Sequence, residues 1–191
     1  MRFLLISLGC LLQGFVCSEV QRIGPGRDWL ERTYLPCLEG RILYVGVGSY
    51  TTQYPFLTKT PWLFETIDFA QDKAQFGSPF VHHTADFMMF QPNYKFDHIC
   101  LFGVMGHPQD AKTSIYSILS DEEILQALEH ADRLLQVGGT LQLGPNHIAV
   151  AEQNAQFWIN KLSLKFFHKY ETLFVAIGTD NVVWWGRKYE D

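Results

Sequence analysis

The chain has 191 residues, of which 47% are hydrophobic, 15% aromatic and only 18% charged. That is enough chain and apolar surface for one domain with a substantial core, and it is too apolar for a disordered tail. The net charge of −5, with no Lys/Arg run, argues against a nucleic-acid-binding face, though not against a small anionic substrate held by one or two cations.

The first 18 residues, MRFLLISLGCLLQGFVCS, carry one basic residue, an apolar run from Phe3 to Leu12 and a cleavage-like Val16-x-Ser18. Two readings stay open: a secretory signal peptide, or an N-terminal helix packed on the domain through Phe3, Ile6 or Ser7, Cys10 and Gly14. The run is too short, and too interrupted by Gly9, Gln13 and Gly14, for a membrane span. Cleavage would imply secretion, and retention a cytoplasmic protein; either way residues 19–191 form a single domain. Oligomeric state is not readable from the sequence. The cysteines, Cys10, Cys17, Cys37 and Cys100, form neither a CxxC pair nor a metal spacing, so no disulfide scaffold or metal site is expected. Cys100 sits in an apolar run and reads as a buried, inert thiol.

Ile23-Gly24-Pro25-Gly26 is a turn, and Arg27 to Leu35 has apolar residues at helical spacing, stopped by Pro36. Arg41 to Val45 is an apolar strand that breaks into Gly46-Val47-Gly48, then Ser49 and Tyr50. Such a strand–turn lets the main chain approach a bound nucleotide closely. Leu63 to Asp68 is a second strand ending in a carboxylate about 20 residues on, the spacing at which an acid meets ribose hydroxyls. Ala70 to Phe76 is a brief helix, with Asp68 a rival candidate for its N-cap. Phe80 to Ala85 is a third strand followed by Asp86. His82 and His83 on it face opposite ways and make a poor metal pair.

Phe96 to Gly103 is a nearly all-apolar fourth strand, as in a parallel sheet covered on both faces. The long connection from Val104 to Leu119 leaves its carboxyl end, where open α/β sheets bind ligands. It holds His107, the one candidate general base, whose ordinary pKa suits proton removal near neutrality. Ser120 and Glu123 form a capping box for a helix with Ile124, Leu128, Ala131 and Leu135 on one face, ended by Gly138-Gly139. Thr140 to Leu143 is strand five; Asn146 and His147 after it either approach a substrate or start the next helix. Ala149 to Leu162 is that helix. Leu164 to Ile177 and Val182 to Lys188 are strands joined by a turn at 178–181. Trp184 and Trp185 face opposite ways, with at least one in the core. Strands alternating with helices, then a hairpin, give an α/β doubly wound sheet whose last strand runs antiparallel.

From Arg27 to Asp191 this order resembles the class I S-adenosylmethionine-dependent methyltransferase family. YVGVGSY, Tyr44 to Tyr50, resembles the glycine loop of its first motif, and LLQVGGTLQL, Leu134 to Leu143, its helix, double glycine and fifth strand. The resemblance implies a Rossmann-like, mostly parallel seven-stranded sheet with an antiparallel C-terminal hairpin, and S-adenosylmethionine as cofactor. It implies cofactor contacts at Tyr44, Gly46, Gly48 and Ser49, at Asp68 (ribose) and Phe69, at Asp86 (adenine amino group) and Phe87 (adenine ring), and at Phe102 and Gly103. The sequence departs from the pattern in three places. Tyr44 stands where the family tends to carry an acid, the third glycine is missing near Tyr50, and no Asn/Asp-Pro-Pro-Tyr/Phe follows strand four. The last departure argues against methylation of DNA bases or glutamine.

The expected function is methyl transfer to oxygen or nitrogen of a small molecule, with His107 as base. A non-catalytic module that keeps the fold, secreted if the leader is cleaved, is the alternative. A nicotinamide-dependent oxidoreductase ranks third, because Gly46-x-Gly48-x-x-Thr51 lacks the third glycine that dinucleotide binding uses.

Overall fold

The structure, a computed structural model, describes Arg32 and residues 34–46, 58–68, 81–101, 121–147, 166–177 and 181–191. Within these lie strands β1 (Ile42–Val45), β2 (Phe64–Asp68), β3 (Val81–Thr84), β4 (Phe96–Leu101), β5 (Leu135–His147), β6 (Tyr170–Ile177) and β7 (Asn181–Lys188), with helix α1 (Asp121–Leu134). They form one seven-stranded sheet in the order β3-β2-β1-β4-β5-β7-β6. The pairings from β3 through β5 are parallel, and β7 runs antiparallel to both neighbours. The doubly wound sheet with a terminal hairpin is therefore as expected, although hairpin residues 178–180 lie outside the described residues.

β1 sits near the centre because all four of its side chains are apolar and buried. Leu43 and Val45 point to one face with Ile67, Ile99, Leu101, Leu141, Leu143 and Trp184, where α1 lays down Ile124, Leu128 and Ala131. Ile42 and Tyr44 point to the other, with Phe64, Cys100, Tyr34, Leu35 and Leu38. Each large apolar side chain so buried stabilises by about 1.5–3 kcal/mol, more than the roughly 1 kcal/mol net of a hydrogen bond. Burial on both faces, rather than the ladder, holds this strand at the centre. Trp184 belongs to the first face and Trp185 packs against the second, so the tandem tryptophans do split across the sheet.

Three sequence expectations change. Gly138-Gly139 does not end the helix: α1 stops at Leu134, and the glycines lie within β5. The register jumps from Phe96 opposite Leu135 to His98 opposite Thr140, so residues 136–139 bulge out of the ladder. Gly138 turns there at φ +84°, and a Cβ on Gly139 would come within 2.7 Å of the Asp97 carbonyl. Asn146 and His147 do not start a helix; they extend β5 opposite Val182 and Asn181. Residues 167–169 form a single tight turn before β6 begins at Tyr170. That turn buries the neighbouring Phe166 and Phe167 together, whereas successive residues of a strand would point to opposite faces. Among the described residues no helix is long and apolar enough to cross a membrane.

Candidate active site

Parallel β1, β2 and β3 end on one rim of the sheet. Val45 lies beside Ile67, Ile67 beside His83, and Asp68 beside Thr84. The Gly46 amide donates to the Ile67 carbonyl at 2.9 Å and the Ala85 amide to the Asp68 carbonyl at 3.2 Å. Adjacent strands are about 4.8 Å apart, so Gly46, Asp68 and Asp86 mark three successive strand ends along about 10 Å of rim. Gly46 has φ +69°, a left-handed conformation that glycine adopts without steric cost. Its N–H is committed to Ile67, so what it offers a ligand is bare Cα surface rather than a donor.

Asp68 is half-buried at the end of β2. Asp86 first does structural work: its Oδ1 accepts from the Met88 amide at 2.8 Å and caps the turn Phe87–Met89. The same turn closes through Met89 N to Asp86 O and Phe90 N to Phe87 O. Beneath it, the Phe90 ring packs on His83 with centroids 4.6 Å apart.

Two expected contacts are reassigned. Tyr44 is fully buried, packed with Phe64 and the Tyr34–Leu38 segment, so its ring is core rather than a cofactor contact. The apolar surroundings that make a phenol acceptable there would leave a carboxylate costly to bury. Phe87 is likewise buried, its ring meeting His130 edge-on at 4.9 Å, which makes it a packing residue against α1 rather than a lid over adenine. Gly48, Ser49, Phe69, Phe102, Gly103 and His107 lie outside the described residues.

Toward the amino ends of β1 and β2, away from the rim, stands a cluster that sequence reading missed. Glu65, on the same face as Ile67, accepts from the Arg41 guanidinium at 2.6 Å, from Tyr94 Oη at 2.8 Å, and pairs with His83 Nε2 at 2.9 Å. Burial alone would raise its carboxyl pKa, but the bonds from His83, Tyr94 and Arg41 outweigh that and hold it below its ordinary value. Arg41 also lies over the Tyr94 ring at 4.1 Å. The signal available beforehand was an acid between Phe64 and Ile67, at an inward position of β2. His82, on the opposite face, bonds Thr66 Oγ1 at 2.7 Å, so the adjacent histidines do point apart. Among the described residues no group of three His, Cys, Asp or Glu is arranged to hold a metal ion.

No family model matches the sequence, and no curated protein matches it. Solved structures do match in three dimensions. The N-methyltransferase NodS of Bradyrhizobium japonicum, in complex with S-adenosyl-L-homocysteine, superposes with a TM-score of 0.58 at 16% identity, covering 85% of each chain. The ribosomal protein L11 methylase of Lactobacillus delbrueckii subsp. bulgaricus gives 0.56 at 11% identity over 85% of this chain and 76% of that one. The sugar N-methyltransferase KedS8 of a Streptoalloteichus species gives 0.54 at 15% identity over 85% and 86%. At such identities the likeness concerns the fold, and the chain has the fold of class I methyltransferases.

Proposed function

We propose that this chain binds S-adenosylmethionine on the rim at the ends of β1, β2 and β3 and transfers its methyl group to oxygen or nitrogen of a small molecule. The observation that carries the reading is the succession of a left-handed glycine and two acidic residues at three adjacent strand ends, Gly46, Asp68 and Asp86. Asp68 accepts hydrogen bonds from the ribose hydroxyls. Asp86, with Oδ1 engaged by Met88, turns its other oxygen to the adenine amino group. Gly46 lets the methionine portion lie against main chain, and with Tyr44 in the core the methionine amine is met by backbone carbonyls. The bound cofactor supplies a methyl carbon made electrophilic by its sulfonium. The protein's part is to align acceptor, methyl and sulfur and to remove the acceptor's proton, the role given to His107.

The deciding experiment is calorimetric titration with S-adenosylhomocysteine. Binding at micromolar strength that is lost in Asp68→Ala supports the reading; no heat and no thermal shift with either cofactor form ends it. The acidic balance of the chain and the sugar N-methyltransferase among its structural neighbours favour a small-molecule acceptor. The neighbouring ribosomal protein methylase makes a protein acceptor the comparison to run in the turnover assay. One observation favours a second reading, a binding module without turnover: the family's acidic position is filled by the buried ring of Tyr44. Cofactor binding without turnover across cell-extract metabolites and proteins would select it.

A further inference from the structure

His130 lies on α1 with 4% of its surface exposed, and the site described above gives it no role. Its Nδ1 is 3.3 Å from Arg133 Nη2. A guanidinium only donates, so Nδ1 is the acceptor and the ring is neutral, with its proton on Nε2. That Nε2 is buried without a hydrogen-bond partner. The ring stands close to the turn that Asp86 caps, whose Phe87 and Phe90 carbonyls bear on its protonation. The same ring meets Phe87 edge-on. A buried imidazole thus joins α1 to the turn carrying Asp86 through its edge-on contact with Phe87.

We propose that His130 is the positioning residue for the Asp86 end of the site, holding the turn in its binding geometry only while the imidazole is neutral. This rests on the cofactor reading above. Protonation would turn Nδ1 into a donor facing the Arg133 donor, and would put a charge on the buried ring beside the exposed Arg133 guanidinium. The pair must then separate, and the ring shifts against Phe87. The charged groups facing the ring among the described residues are Arg133 from its own helix and Asp86 from the turn. Burial, then Arg133, hold the imidazole below its ordinary pKa, with the carbonyls and Asp86 opposing. The neutral state is therefore the resting one, and the change comes on the acid side.

The test is S-adenosylhomocysteine affinity from pH 8 to pH 5 for the full chain and three variants. Wild type should lose about tenfold on acidification, equivalent to roughly 1.4 kcal/mol of binding. His130→Leu should bind weakly at pH 8 and stay flat with pH. His130→Gln, which keeps an uncharged acceptor for Arg133 and a polar side chain of similar reach, should bind within a few-fold of wild type at pH 8 and also stay flat. Arg133→Gln, at an exposed position that leaves the fold intact, removes the opposing cation and should move the wild-type loss to higher pH. Wild-type affinity that does not change with pH overturns the proposal, as does an acid loss that persists in both His130 variants or is unmoved by Arg133→Gln. If wild type binds nothing at any pH, the cofactor reading fails and takes this one with it, whereas pH-independent binding removes this one alone.

Discussion

The Gly46 amide donates to the Ile67 carbonyl at 2.9 Å, so the residue that turns out of β1 is tied to β2 one residue before Asp68. The first turn of the rim and its first carboxylate are thereby one mechanical unit. Gly46→Ala puts a Cβ on a residue at φ +69°, a conformation costing about 1–2 kcal/mol for a residue with a side chain. The expected result is an unfolding free energy, from urea denaturation, lowered by that amount and a loss of S-adenosylhomocysteine binding larger than the stability change implies. Unchanged binding would remove the glycine turn from the site.

Asp86 carries two jobs that substitution separates. Asn caps a turn about as well as Asp, whereas Ala forfeits the bond to Met88 N and costs about 1 kcal/mol. Asp86→Asn should therefore keep wild-type stability yet weaken cofactor binding several-fold, because its side chain oxygen is already engaged as the cap and its NH2 cannot accept from the adenine amine. Asp86→Ala should lose both. If Asp86→Asn binds as wild type does, the carboxylate is only a cap.

Glu65 has three partners and is nearly buried. Glu65→Gln leaves Arg41 without its counter-charge, and His83 Nε2 and Tyr94 Oη without a charged partner. Removing one member of a buried pair costs about 3–5 kcal/mol, and the partial exposure of Arg41 and His83 reduces this to about 2–3 kcal/mol. The pH dependence follows from the lowered pKa. Because the folded carboxyl ionises more readily than the unfolded one, its stabilisation is present above the ordinary value of 4.5 and fades as pH falls through the folded value. Chemical denaturation at pH 7, 4.5 and 3.5 should show wild type losing more stability than Glu65→Gln. Parallel losses would mean that the folded protein does not hold the Glu65 carboxyl below its ordinary value.

The alternation of apolar strands with helical stripes was enough to foretell the sheet, because Ile42–Val45 and the Ile99-Cys100-Leu101 end of β4 are apolar on both faces and a central parallel strand needs that. The position of Asp68 and Asp86 at strand ends was legible for the same reason. What side chains do at those ends was not. Tyr44 and Phe87 align with cofactor-contacting positions, yet their rings fill space between layers, and no local pattern says which layer an aromatic enters. His130 was readable in principle: it falls three residues after Ala127 and four before Leu134, on the buried stripe of α1. The Glu65 cluster joins Arg41, His83 and Tyr94 through tertiary contacts that no sequence spacing reports.

On the other face of the sheet a polar chain crosses from β5 to the start of β1 in one direction. Cys100 Sγ donates to Gln142 Oε1 at 2.9 Å, Gln142 Nε2 to Thr140 Oγ1, the Thr140 hydroxyl to His98 Nδ1 at 2.7 Å, and His98 Nε2 to the Glu39 carbonyl at 3.0 Å. The order requires a neutral His98, since Nδ1 accepts while Nε2 donates. Burial holds its pKa below 6.5, opposed by the Glu39 carbonyl and Asp97. The sign is the reverse of a stabilised cation: as pH falls through 6.5 the unfolded chain takes up a proton that the folded chain refuses, so stability falls on the acid side and is regained above it. His98→Gln removes that titration while keeping a donor and an acceptor. Denaturation at pH 7.5 and 5.5 should show a smaller acid loss in His98→Gln than in wild type. Thr140→Val, which breaks the chain at its centre, should cost about 1–3 kcal/mol at pH 7.5 by leaving buried partners unpaired. Equal acid losses in wild type and His98→Gln would mean that His98 is free to protonate in place, and that the direction of the chain is not fixed.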